Sequence, residues 1–166
     1  MPTHANQGTD DSGESGFQPL TTHPLLKFLS QQGKDLSPLL IMVHDFPDPD
    51  AIAGGCALEY LCEKGFGIQA RVAYGGMIGR AENRAMVKEL KLKLYKLRAS
   101  DLKRYHNIAL VDTQPSFENN SFTVHRKATI VIDQHGSAKD PWSDFFIVDP
   151  DCGASCVVIA RAILEL

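Results

Sequence analysis

The apolar positions of the chain fall into two kinds of pattern that take turns along it. Residues 39–43, LLIMV, form a short unbroken apolar run, the form taken by a parallel strand covered on both faces. Residues 51–65, AIAGGCALEYLCEKG, carry small and then apolar residues at helical spacing and stop at Gly65. Residues 68–74 alternate as a strand does, and 107–112, 128–133 and 144–149 are further strand-like runs. Leu25, Phe28 and Leu29 mark a helix ahead of the first strand, with Gly33 at its end. Residues 79–94 read as a helix rich in good helix formers, and 153–166 as a last helix. The run 88–98, KELKLKLYKLR, reads as a basic amphipathic helix face with snorkelling lysines.

Strands that alternate with helices predict an α/β fold: a mostly parallel sheet flanked by helices, in a single domain. Residues 23–166 form that domain. Residues 1–22 are polar and rich in Gly and Ser, and are expected to form a disordered N-terminal tail.

Composition narrows the function little. In 166 residues the hydrophobic fraction is 43% and the charged fraction 22%, ordinary for a globular domain. A net charge of −3 offers no global field for nucleic acid. No apolar run reaches the roughly 18–20 residues of a membrane span, so no membrane partner is expected. None of the four cysteines forms a C-x-x-C pair, and two lie in apolar runs, which suits a reduced, cytoplasmic protein better than a structural zinc site.

The polar residues change the picture. The first strand runs into His44, with Asp48 and Asp50 in the loop after it, while Asp112, Asp133 and Asp149 close three later strands. In an open parallel sheet these ends share one edge, the edge where ligands gather. One Asp after a strand is an ordinary turn or cap residue. His44, Asp48, Asp50, Asp112 and His135 on one edge are harder to explain so, because clustered carboxylates repel one another unless a cation compensates them. Mixed carboxylate and imidazole ligands suit Mn²⁺ best among the hydrolytic metals, with Mg²⁺ and Zn²⁺ behind it. Arg80, Asn83 and Arg84 cluster at the start of a predicted helix, where a phosphate is attracted. Gly54 and Gly55 are read as contacts of helix on sheet.

These residues stand in a pattern that resembles the DHH phosphoesterases. HDFPDPDAIAG resembles the first motif of that family, LVDTQP the second, VIDQHG the third, and DPDCGASCVVIARAI the Gly-Ala-Ser/Thr segment that opens the next helix. GGMIGRAENRAM resembles the segment between the first two motifs in the branch of oligoribonucleases and phosphoadenosine phosphate phosphatases. The resemblance implies a Mn²⁺-dependent hydrolase of phosphate esters, acting on short oligonucleotides or small nucleotides and holding one or two ions. It assigns His44, Asp48 and Asp112 to a first ion, and Asp50 with a shared Asp112 to a second. It counts Asp133 and His135 as catalytic; His135 could contact the scissile phosphate, the reading its family position favours, replace a missing metal ligand, or satisfy a turn. A homodimer is compatible with it.

Two departures from the family pattern bear on activity. Gln134 stands where the first His of the third motif is expected, and an amide is a weaker ligand than imidazole. The fourth motif and the substrate domain of the family would lie beyond Leu166. The expectation is therefore one well-held ion, a weak second, and slow hydrolysis by this chain alone. The alternative is a non-catalytic metal- or nucleotide-binding module. A haloacid dehalogenase type of phosphatase also uses Asp-x-Asp after a strand, but leaves His44 and the third motif unexplained.

Overall fold

The computed structural model describes residues 23–123, 125–136 and 141–166. The expected tail, residues 1–22, lies outside them. Six parallel strands form one sheet in the order β3-β2-β1-β4-β5-β6. They are β1 (Leu39–Val43), β2 (Ala70–Tyr74), β3 (Leu94–Lys96), β4 (Asn107–Val111), β5 (Ala128–Asp133) and β6 (Ser143–Val148). Helices α1 (Pro24–Gln32), α2 (Pro49–Tyr60), α3 (Ala81–Glu89), α4 (Ala99–Arg104) and α5 (Ser155–Leu164) flank it.

The core has two layers, because both faces of the central strands are covered. Leu39, Ile41 and Val43 of β1 pack under α1, α2 and α5 with Leu25, Leu29, Leu58, Val158 and Ile159. Leu40 and Met42 pack on the other face with Tyr105, Leu110 and Phe122. This double burial is why β1, β4 and β5 read as continuous apolar runs rather than alternating ones. Gly54 and Gly55 do serve helix-on-sheet packing: a Cβ at Gly54 would lie 2.8 Å from Val111 Cγ1, and one at Gly55 2.9 Å from Val72 Cγ1. The expected stop at Gly33 also forms, with φ 51° at the C-cap of α1.

The chain departs from its sequence pattern between residues 88 and 104. The helix expected over 79–94 ends at Glu89, and the run 88–98 is not a helix face. Lys91 takes φ 53°, a left-handed conformation that no helix continues through. The amide of Leu92 returns to Val87 O at 3.0 Å and closes the helix end. Leu94, Tyr95 and Lys96 then add β3 to the edge of β2, with Val72 opposite Leu94. Lys96 is exposed on this edge strand. Helix α4 follows, which the apolar pattern did not indicate.

Strand order places the chemistry. From β1 the chain moves outward through β2 and β3, then returns to the far side of β1 as β4 and moves outward the other way. The carboxyl ends of β1 and β4 therefore border the crevice where the winding reverses, the usual ligand position in this architecture.

Candidate metal centre

His44 follows β1 and Asp112 follows β4, so the switch point brings together a histidine and an aspartate about 70 residues apart in sequence. Asp112 takes φ 60° while its amide still donates to Ile132 O at 2.9 Å. A left-handed aspartate at the end of a buried strand is a strained conformation of the kind that collects at functional sites. It turns the carboxylate across the crevice. Asp112 is only 2% exposed.

Each oxygen of Asp112 faces a different histidine. Oδ2 lies 3.5 Å from His44 Nε2, and Oδ1 lies 3.7 Å from His135 Nδ1. Oδ1 also accepts from Ser155 Oγ at 2.7 Å. Asp48 completes the first side: its Oδ1 is 3.8 Å from His44 Nε2, and it caps α2 by accepting from Ala51 N at 3.0 Å. His44 Nδ1 donates to Asp45 O at 2.8 Å, which aims Nε2 at the two carboxylates. The facing atoms of His44, Asp48 and Asp112 lie within 4.8 Å of one another.

The second side is a closed hydrogen-bond network. Asp133 is fully buried. Its Oδ1 accepts from His135 Nδ1 at 2.8 Å and from Gln134 N at 2.9 Å, and its Oδ2 accepts from Gln114 Nε2 at 2.7 Å. Gln114 Nε2 also reaches His135 O at 2.7 Å, so one buried amide holds both the carboxylate and the turn that carries His135. Facing atoms of Asp112, Asp133 and His135 again fall within 4.8 Å of one another.

The electrostatics follow from this layout. His44 is raised to about 9, chiefly by its hydrogen bond to Asp112, against the cost of burial and with help from Asp45 O and the charges of Asp112 and Asp48. Burial pushes Asp112 upward, but hydrogen bonds from His44 and Ser155 and the two nearby imidazoles outweigh it and hold the carboxyl below its usual range. The hydrogen bond to Asp133 raises His135 above an ordinary imidazole, with burial and His44 opposing.

The other residues singled out in the sequence are placed as follows. Asp50 stands apart from both groups. Its two oxygens accept from Ser155 N and Cys156 N, each at 2.8 Å, and so cap α5. The Gln134 backbone amide also donates to Ser155 Oγ at 3.1 Å. Arg80 and Asn83 line a cleft of about 360 Å³ with His44, Phe46, Pro47, Asp48 and Gly79. Arg84 turns back onto the carbonyls of Ile78 and Gly79 and braces that loop. Asp149 is a turn residue: it accepts from Asp151 N at 3.2 Å and pairs with Arg161 at 3.6 Å. Sequence reasoning gave no role to Gln114 or Ser155. Gln114 carried a signal only in being a polar residue just after an apolar strand, and Ser155 only in its place at a helix start. The four cysteines are free. Among the described residues no helix is long and apolar enough to cross a membrane.

The chain matches no family profile. It is 34% identical over 141 residues to an uncharacterized protein of Methanocaldococcus jannaschii; the match takes in 85% of this chain and 29% of the relative's length. Among solved structures it is similar to an exopolyphosphatase-related protein of Bacteroides fragilis, with TM-score 0.58 and 14% identity over 85% of this chain and 42% of that one. The two share a fold. The mostly parallel α/β architecture read from the sequence is the one observed, and every strand pairing in the sheet is parallel.

Proposed function

We propose that the chain carries the metal-binding half of a phosphoesterase of the DHH type, hydrolysing phosphate esters of short oligonucleotides or small nucleotides. The observation that supports this most is Asp112, buried at the switch point between His44 and His135 with one oxygen turned to each. The likeness in fold to an exopolyphosphatase-related protein fits a phosphoryl substrate.

The first group fits a divalent ion. Two ligands of one ion with bonds of about 2.2 Å stand up to about 4.4 Å apart. The separations of 3.5 Å and 3.8 Å from His44 Nε2 are long for hydrogen bonds but within that span. His44, Asp48 and Asp112 would hold the ion, and their nitrogen and oxygen set favours Mn²⁺. Bound there, it would supply charge neutralisation for the phosphoryl oxygens and an activated water.

The residues of the second side do work of their own. Asp133 accepts from His135 Nδ1 and favours the imidazolium form, whose second proton, on Nε2, would point away from Asp133; the side chain is 52% exposed. That proton would serve the leaving oxygen, a role worth about 10²–10⁴ in rate. Arg80 lies on the cleft beside Asp48, where a guanidinium pairs with phosphate.

A second reading, a binding module without turnover, is favoured by the same closed network: Asp133 has all its demand met by protein donors and asks for no second ion. The decisive experiment measures Mn²⁺ content and hydrolysis of bis(p-nitrophenyl) phosphate together. Bound Mn²⁺ with metal-dependent turnover supports the enzyme. Bound Mn²⁺ without turnover selects the module, and no bound metal overturns both.

A further inference from the structure

Beside the metal group stands an aromatic side chain that none of the chemistry above uses. Phe46 lines the same cleft as His44, Asp48 and Arg80. It is 62% exposed. An exposed apolar side chain is ordinary by itself. Its backbone is not: Phe46 takes φ 57°, a left-handed conformation that a bulky residue adopts only under strain.

The surroundings hold the ring in that position. Its amide donates to Gly75 O at 3.3 Å. A Cβ on Gly76 would lie 2.9 Å from the ring edge, and one on Gly75 would overlap the Asp45 carboxylate. The Gly75-Gly76 turn therefore supplies a floor of bare backbone under the 45–46 loop. One side of the ring rests on that floor, and much of the remainder is open to the cleft. A strained backbone, a fixed ring and an open aromatic surface describe a platform rather than a core residue.

Two further features of the cleft point to a ligand with polar as well as aromatic parts. Asn83 is 3% exposed and donates to Pro47 O at 3.3 Å, yet its Oδ1 has no partner. A buried acceptor left unmet is uncommon in a folded protein and costs free energy. Arg80 offers an exposed guanidinium that forms no ion pair among the described residues. The cleft thus joins an aromatic face, an acceptor and a cation, all beside the His44–Asp48–Asp112 group. Its volume of about 360 Å³ falls at the lower end of small-ligand sites.

We infer that Phe46 is the platform on which a nucleobase of the substrate stacks, and that it is the residue by which the chain prefers nucleotides to inorganic polyphosphate. This rests on the phosphoesterase reading for the reaction but not for the binding. Base stacking on an aromatic side chain strengthens binding about five- to a hundredfold and tolerates any base. An inorganic chain of phosphates has no face to stack and gains nothing from the ring.

The test compares ratios, so that a general loss of fold or metal cancels. Affinities for 5′-AMP and for inorganic phosphate are measured with Mn²⁺ present, in the full chain and in Phe46→Ala and Phe46→Trp. The expected result is a preference for AMP that falls about tenfold in Phe46→Ala and is kept or strengthened in Phe46→Trp. An AMP-to-phosphate ratio unchanged by Phe46→Ala overturns the inference, as does a ratio that Phe46→Trp fails to keep. The kcat/KM ratio for a 5′-phosphorylated diadenylate against tripolyphosphate follows the same pattern if the chain turns over. If neither is hydrolysed, the enzyme reading fails while the AMP ratio still decides the platform.

Discussion

The two sides of Asp112 are built from the same residue types and differ in what they still lack. On the His44 side, three ligand-type side chains face one another at separations too long for good hydrogen bonds. On the His135 side, Asp112 stands 3.7 Å from the imidazole, but the contacts of Asp133 are 2.7–2.9 Å and each of its oxygens has a donor. Carboxylates satisfied by close N–H donors have little left to offer a cation, whereas those facing an imidazole across a gap leave room for one. Residue content alone makes both sides look like metal sites. The hydrogen-bond accounting separates them: the His44 side leaves a gap between its ligand-type atoms, and the carboxylate of Asp133 is closed off by protein donors.

The strongest break of this comparison is Asp112→Asn, which keeps the shape and removes the charge shared by both sides. Mn²⁺ affinity should fall by more than a hundredfold, about 2.8 kcal/mol or more. Titration calorimetry on the two proteins measures it. A loss of under tenfold would mean that the ion, if bound, sits elsewhere.

The next effect is a pH dependence that belongs to one side. In the metal-free protein the pKa of His44 is raised to about 9, chiefly by its hydrogen bond to Asp112, with the charges of Asp112 and Asp48 adding to it, so the ring keeps its proton at neutral pH. An ion must displace that proton. Apparent Mn²⁺ affinity should therefore rise about tenfold per pH unit from pH 7 toward 9 and then level. Linkage gives the stability sign: a folded-state pKa above the unfolded value near 6.5 stabilises the metal-free fold fully below 6.5, and this is lost as pH climbs through 9. In His44→Gln both dependences should flatten, with Mn²⁺ affinity down ten- to hundredfold at pH 8. A slope that persists in His44→Gln would assign the proton to another group.

Much of this arrangement was legible in the sequence, for a physical reason. Strands buried on both faces must be continuous apolar runs, so their ends are sharp, and the polar residue that follows each is easy to see. That is how His44, Asp112 and Asp133 stand out. Residues 90–97 were harder, since LKLKLYKL satisfies a helical stripe and a period of two at once, and only the left-handed turn at Lys91 decides for β3. The direction a carboxylate faces is not written in spacing either. Asp48 and Asp50 are two residues apart on the same helix start, yet one faces His44 and the other caps α5. Gln114 escaped notice because its role depends on a contact across 19 residues that only the sheet order creates.

Asp50 sharpens the comparison further. Its carboxylate binds two amides of the first turn of α5, so Asp50→Asn weakens a charge-assisted cap. Stability should fall by about 1–2 kcal/mol, seen as a lower midpoint in urea, with Mn²⁺ affinity changed by no more than about threefold. An affinity loss comparable to that of Asp112→Asn would show that Asp50 leaves α5 to join the ion.

The smallest expected effect tests the closed side alone. Gln114 is fully buried, its Nε2 bridges Asp133 Oδ2 and His135 O, and its Oε1 has no partner. Replacement by Met fills similar space and removes both the bridge and the unmet acceptor. The two stability terms oppose each other: the lost charge-assisted bond costs about 1.5–3 kcal/mol, and removing a buried, unmet oxygen returns about 1–3 kcal/mol. Gln114→Met should therefore stay within about 1 kcal/mol of the parent in urea unfolding. Its first-side Mn²⁺ affinity should change by less than about threefold, because the side-chain hydrogen bonds of Gln114 run to Asp133 and His135. The change should appear at His135, which loses the anchor on its carbonyl while Asp133 loses one of its three donors. With one donor fewer the carboxylate pulls harder on the imidazolium, so the His135 pKa should move further upward in an NMR titration. A downward shift, or one carried over to His44, would mean that Asp112 couples the two sides more tightly than their hydrogen bonds indicate.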